Sequence, residues 1–214
     1  MSIRVLVADD HKVVADGLCH LLEAQPDIDV CDAVRSGRDA VRRTSELHPD
    51  VVLMDINMPD LNGIEATRLI RERDPGVRVL MLSVHADPMH IVRALRAGAA
   101  GYVPKSSAGS DVVEAVRTVQ AGRRYLHPSI ADAVLAQLVE PEAADDPVAR
   151  LSAREREVLQ LLAEGKSVAD IGLALSLSPR TVETYRARLM EKLDIHDMPG
   201  LVKFAILHGI TSLE

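Results

Sequence analysis

Residues 51–60 read Val51-Val52-Leu53-Met54-Asp55-Ile56-Asn57-Met58-Pro59-Asp60. Four apolar residues in a row, two of them β-branched, predict a short strand buried on both faces of a parallel sheet. A carboxylate ends the strand, and a turn rich in Pro, Asp, Asn and Gly follows at once. In open α/β sheets reactive groups collect at the carboxyl ends of strands, so Asp55 is placed where it can take a metal or a phosphoryl group. Taken alone, a strand-terminal Asp serves equally well as the cap of the next helix. The neighbouring stretches decide between the two.

The flanking sequence repeats the same alternation. Period-two or continuous apolar runs predict strands at 3–8, 28–34, 51–55, 77–83 and 101–103. Between and after them, 3.6-residue spacing predicts helices at 11–24, 37–47, 63–73, 88–97 and 110–121, closed by Pro26, by the Asp74-Pro75-Gly76 turn and by Gly98 and Gly122. Five β–α units of this length imply a doubly wound, (βα)5 parallel sheet with right-handed crossovers and helices on both faces.

Four of the five strand ends carry polar chemistry: Asp9 and Asp10 after the first, Asp55 on the third, Ser83 on the fourth and Lys105 after the fifth. Parallel strands lie roughly 4.8 Å apart, so these ends can converge. Three crowded carboxylates repel unless a divalent cation sits among them, and oxygen ligands without Cys or His favour Mg²⁺ or Mn²⁺. Lys105 then offers a positive donor and Ser83 a hydroxyl to oxygens attached at Asp55. Each residue also has a plainer use: Asp9 or Asp10 as a helix cap, Lys105 as a solvated charge. His11 and His85 fall near the site and are read as solvent-facing, without a ligand role.

Beyond Ala121 the character changes. Residues 122–147 hold a short helix through Ile130 and Val134, then the acidic, aperiodic stretch 140–147, and are read as a linker. Residues 148–214 carry no strand signal and four helix signals. Ser152-Ala153-Arg154-Glu155 is a capping box, and Ser167-Val168-Ala169-Asp170 resembles one with Asp in the last place. Ser178-Pro179 puts an N-cap before proline at the first helical position. The helices at 167–175 and 178–193, joined by a short turn, have helix-turn-helix spacing. On a helical wheel Val182, Leu189 and Leu193 share the buried side of the second helix. The opposite side carries Arg180, Glu183, Thr184, Ala187, Arg188 and Glu191, small side chains and arginines that suit a major groove. A solvated helix laced with Glu–Arg pairs would carry the same residues.

Charge does not decide that point. The net charge is −7. Residues 1–121 hold 18 acids against 14 bases, 122–147 five against two, and 148–214 nine of each. The last third is basic only relative to the rest. No run of 18 uncharged apolar residues could span a bilayer, and the first residues show no signal-peptide pattern, so a cytoplasmic protein without membrane partners is expected. Cys19 and Cys31 lack metal or redox spacing and read as small core hydrophobes. A magnesium-dependent phosphohydrolase with Asp55 as nucleophile is the competing class, but such enzymes need a second acid two residues on, and Asn57 stands there.

Taken together, Asp9, Asp10, Asp55, Pro59, Gly63, Ser83 and Lys105 in this order resemble a response-regulator receiver domain over 1–121. Leu151–Leu159, Gly165, Thr181-Val182, Lys192-Leu193 and Leu201-Val202 resemble a LuxR-type output domain over 148–214. Together they are similar to a NarL/FixJ-type two-component response regulator. The resemblance implies that Asp55 is the phosphoacceptor, loaded by a sensor histidine kinase. It implies that Asp9, Asp10, Asp55 and the Asn57 carbonyl hold the metal, and that Ser83, Tyr102 and Lys105 form the switch. It also implies an all-α four-helix domain whose 178–193 helix reads DNA through Arg180, Thr181, Glu183, Thr184, Ala187, Arg188 and Lys192. The active form would be a homodimer on double-stranded DNA with paired half-sites, with RNA polymerase as a further partner. The chain would be no enzyme beyond accepting the phosphoryl group and removing it again. Pro104 before Lys105, Val168-Ala169-Asp170 in the scaffold helix and Glu183 depart from the family's usual residues.

Overall fold

In the computed structural model the described residues are 2–84, 87–139 and 146–211, the side chains of Ala133 and of 136–139 excepted. His85 and the acidic stretch 140–145, read above as linker, lie outside them. The chain divides into two compact units, 1–141 and 142–214.

The first unit is built on strands β1 (Ile3–Ala8), β2 (Ile28–Val34), β3 (Val51–Asp55), β4 (Arg78–Ser83), β5 (Gly101–Pro104) and β6 (Tyr125–Leu126). They form one sheet in the order β2-β1-β3-β4-β5-β6, every pair parallel. The order reverses direction after β1, which puts the carboxyl ends of β1 and β3 side by side at a topological switch point. Helices α1 (Lys12–Glu23) and α5 (Gly109–Gln120) cover one face; α2 (Gly37–Leu47), α3 (Gly63–Arg73), α4 (Pro88–Arg96) and α6 (Pro128–Val139) cover the other. Along β3, Val51 and Leu53 enter the α1/α5 core while Val52 and Met54 enter the opposite one. All four are fully buried, which is why the strand reads as an unbroken apolar run.

The sheet has six strands where five were expected, and part of the supposed linker belongs to it. Gly122 turns the chain with φ +81°, and Tyr125 and His127 donate backbone N–H bonds to Ala100 and Tyr102. β6 can lie this close because residue 101 is glycine: a Cβ there would meet the Tyr125 carbonyl at 2.6 Å. α6 then buries Ile130 and Val134 in the core beside α4. A strand of two residues has no period to read, so its sequence signal is absent.

Pro104 fits without loss. β5 pairs with β4 through the neighbouring N–H of Lys105, which donates to the Ser83 carbonyl at 2.8 Å. With N–H groups alternating along a strand, residue 104 faces β6, and that ladder has already ended at Leu126.

The second unit holds α7 (Ala153–Ala163), α8 (Val168–Leu175), α9 (Pro179–Leu193) and α10 (Met198–Leu207), preceded by a 3₁₀ turn at Pro147–Arg150. Ser152 and Glu155 close the expected capping box, and Ser167 and Asp170 close a second one despite the shorter acid. Ser178 caps α9 through the Thr181 N–H, and Asp197 caps α10 through that of Gly200. Val158, Leu161, Ile171, Leu175, Val182, Leu189, Leu201 and Ala205 form the core between the four helices.

Candidate functional site

The carboxyl rim of the sheet gathers the predicted acids and lysine. Asp9 follows β1, Asp55 ends the adjacent β3, and Lys105 follows β5 two strands away. The Lys105 ammonium spans the gap, 2.7 Å from Asp9 Oδ2 and 2.9 Å from Asp55 Oδ2. Ligand atoms of Asp9, Asp10, His11 and Asp55 lie within 4.8 Å of one another. Asp9 and Asp55 are buried, Asp10 is half-buried and His11 is exposed. The second Asp9 oxygen accepts the His11 backbone N–H at 3.0 Å, and that of Asp55 accepts the Ile56 N–H at 2.8 Å. Asp9 therefore holds the start of the β1–α1 loop rather than capping α1, whose N-cap position is His11.

Three carboxylates gather around one lysine, which pairs with two of them, and the imbalance shows at Asp55. Burial pushes Asp55 up to about 6; Lys105 pulls it down, and Asp9 and Asp10 push it up again. For Lys105 burial opposes the charge, but its bonds to Asp9 and Asp55 outweigh that and raise its pKa. The acidic donor set is oxygen-rich and short of positive charge by more than one unit, which fits a hard divalent cation such as Mg²⁺. His11, expected to face solvent without a ligand role, is exposed, and it sets Nδ1 2.7 Å from Asp10, whose carboxylate raises the pKa of its ring. Its residue type and exposure gave no sign of this; only the adjacency of Asp10 could have.

Ser83 ends β4 and is buried, in register with Pro104. Tyr102 is fully buried, and its hydroxyl bonds Ser83 while burial pushes its pKa up to about 12. Asn57 lies half-buried two residues past Asp55. The loop that carries it is pinned by close backbone packing. Gly63 donates its N–H to the Ile56 carbonyl, and a Cβ on it would sit 1.9 Å from the Asp55 carbonyl oxygen. A Cβ on Gly37 would sit 2.0 Å from that of Leu61. Both glycines are needed because helices α2 and α3 begin against this loop.

In the second unit, α9 turns Arg180, Glu183, Thr184, Ala187, Arg188 and Glu191 to solvent and buries Val182 and Leu189, as its periodicity indicates. Glu183 makes a 3.4 Å contact with Arg186, leaving Arg180 and Arg188 at the outer face. Two residues of the expected DNA-contacting set also make contacts within the domain. Thr181 is half-buried with its hydroxyl 2.7 Å from the capping Ser178, and Lys192 sets its ammonium 2.7 Å from the buried carboxylate of Glu155. Among the described residues no helix is long and apolar enough to cross a membrane.

Comparison with known proteins agrees with both halves. Residues 5–117 match the response regulator receiver domain, and residues 149–205 match the bacterial regulatory proteins of the luxR family. The response regulator UvrY of Escherichia coli K12 is 40% identical over 212 residues, covering 99% of this chain and 97% of UvrY. A LuxR-family two-component response regulator from Aurantimonas sp. SI85-9A1 is 37% identical with a TM-score of 0.63, over 65% of this chain and all of that one. The response regulator RcsB in complex with DNA is 25% identical with a TM-score of 0.60, over 99% of this chain and all of RcsB. The chain thus belongs to the NarL/FixJ-type response regulators, a receiver domain followed by a LuxR-family DNA-binding domain.

Proposed function

We propose that this chain is a transcription regulator switched by phosphorylation of Asp55. The observation that carries the reading is the Lys105 ammonium shared between Asp9 and Asp55, beside Asp10, at the carboxyl rim of the sheet. A carboxylate there is anchored, desolvated and faced by a cation that can follow negative charge onto a phosphoryl group.

In the transfer, an Asp55 oxygen attacks the phosphorus of a sensor kinase's phosphohistidine. The P–N bond breaks, an acyl phosphate forms, and the leaving imidazole takes a proton. Lys105 exchanges its Asp55 contact for a phosphoryl oxygen while keeping Asp9. Asp9, Asp10, Asp55 and the Asn57 carbonyl would hold Mg²⁺ (or Mn²⁺), which neutralises charge on the phosphoryl oxygens when bound. Water later cleaves the acyl phosphate, so the chain also removes its own signal.

The signal leaves the site through Ser83. Drawing its hydroxyl toward the phosphate disturbs its bond with Tyr102, which shares a buried cluster with Ile91 of α4 and with Ile130 and Val134 of α6. The coupling required is modest, about 1–3 kcal/mol. In the output domain Arg180, Glu183, Thr184, Ala187 and Arg188 face the major groove. Met198, Val202, Ile206 and Leu207 line an apolar stripe along α10 that supports a homodimer. Two copies would set their α9 helices about 34 Å apart on paired half-sites, where RNA polymerase is a further partner.

Incubation with a small-molecule phosphodonor tests the reading. One acid-stable but base-labile phosphoryl group is expected on the parent chain, with none on Asp55→Asn and none in EDTA. Equal labelling of Asp55→Asn would remove Asp55 from the mechanism.

A further inference from the structure

The helix proposed to read DNA and the helix before it are both tied, each at its C-terminal end, to the first turn of α7. Ser152, Ala153, Arg154 and Glu155 form the N-terminal turn of α7. Arg154 donates from Nη2 to the Leu175 carbonyl at 2.6 Å, closing the end of α8 just before the turn that leads into α9. Its other nitrogen pairs with Glu157 at 3.0 Å, which fixes the guanidinium. Glu155 is 3% exposed. It accepts the Ser152 backbone N–H at 2.7 Å and the Lys192 ammonium at 2.7 Å, while Lys192 also reaches the Arg150 carbonyl at 3.4 Å. Burial works against the Glu155 charge, and the bonds from Lys192 and Ser152 together overcome it, leaving the carboxyl below its ordinary value.

Lys192 lies in the last turn of α9. An unpaired lysine there would merely complement the helix dipole. Lys192 is exposed, as Arg180 and Arg188 are, but its ammonium is held at a buried carboxylate, which cannot be left unpaired without cost.

We infer that Lys192 is a positioning residue: it acts in DNA binding by locking the C-terminal end of α9 onto Glu155, and not by touching phosphate. The inference rests on the DNA-reading role of α9 and assigns Lys192 a place within it. Together with Arg154, the first turn of α7 fixes where the turn enters α9 and where α9 ends. The pitch of the reading face in the groove follows from those two points.

The two roles separate in the salt dependence of binding. A phosphate contact contributes about 0.9 to the slope of log K against log salt, whereas a positioning residue lowers affinity at every salt concentration alike. The full-length chain is titrated onto a mixed-sequence duplex across a salt series, with Lys192→Gln, Glu155→Gln/Lys192→Gln, Lys192→Arg and Arg188→Gln alongside. Gln at 155 keeps an acceptor for Ser152 while removing the buried charge. Lys192→Gln is expected to bind several-fold more weakly with the parent's slope, and the double variant to recover most of that loss. Lys192→Arg should match the parent, and Arg188→Gln should lose about one phosphate's worth of slope. A Lys192→Gln slope reduced as in Arg188→Gln, with no recovery in the double variant, overturns the inference. If Lys192→Gln fails to fold, Lys192→Arg and the double variant still decide: a double variant that folds but has lost the slope makes Lys192 a phosphate contact. A parent chain that binds no duplex at all overturns the DNA-reading role together with this one.

Discussion

At the scale of single residues, Asp55 is a carboxylate held where it is costly. It is 3% exposed, shares one ammonium with Asp9, and is pushed up to about 6. A carboxyl whose pKa is higher folded than unfolded weakens the fold in full above the folded value, and the penalty declines as pH falls from there to the unfolded value, below which it is gone. Asp55→Asn is therefore expected to stabilise the metal-free protein at pH 7.5 by on the order of 2 kcal/mol, and by roughly half of that at pH 5. Urea titrations in EDTA at the two pH values measure this; a destabilised variant at pH 7.5 would show that Lys105 more than compensates the burial. Gly63 makes a complementary prediction. Its Cβ has no room beside the Asp55 carbonyl, so Gly63→Ala must displace either β3's end or the start of α3. A loss of roughly 1–3 kcal/mol is expected, together with slower phosphoryl uptake, read from urea midpoints and labelling rates.

At the scale of elements, what was legible depended on whether an element has a period. The buried run 51–55 and the amphipathic 179–193 announced themselves, and their burial follows the pattern residue by residue. β6 could not be seen, because two residues have no alternation and its approach to the carbonyls of Ala100 and Tyr102 depends on Gly101 and Gly122. α6 was legible as a helix but not as part of the first core, since Ile130 and Val134 name an apolar face without naming what covers it. A chain ending at residue 121 should consequently be less stable than one ending at 139 by several kcal/mol, having lost two fully buried aliphatic side chains and a strand pairing. Comparison of the two fragments by thermal unfolding checks it; equal midpoints would return 122–139 to the linker.

At the scale of the whole molecule, the chain joins a receiver domain to a LuxR-family DNA-binding domain. The site's acids and lysine were readable because their order along the chain and the strand spacing together force them to one rim. The contact of His11 with Asp10 was not, because adjacency alone does not fix where two side chains turn, and the capture of Lys192 by Glu155 was not, because it depends on side-chain reach between two helices of the folded domain. On the proposed reading, the link between the units is a difference in free energy that Asp55 imposes only once it carries a phosphoryl group. That claim is tested most directly by the affinity of the full-length chain for an operator selected from a random duplex pool, with and without Mg²⁺ and a phosphodonor. The parent should gain roughly 5- to 150-fold on phosphorylation while Asp55→Asn gains nothing. An equal gain in both proteins, or none in a parent shown to be phosphorylated, would contradict the account.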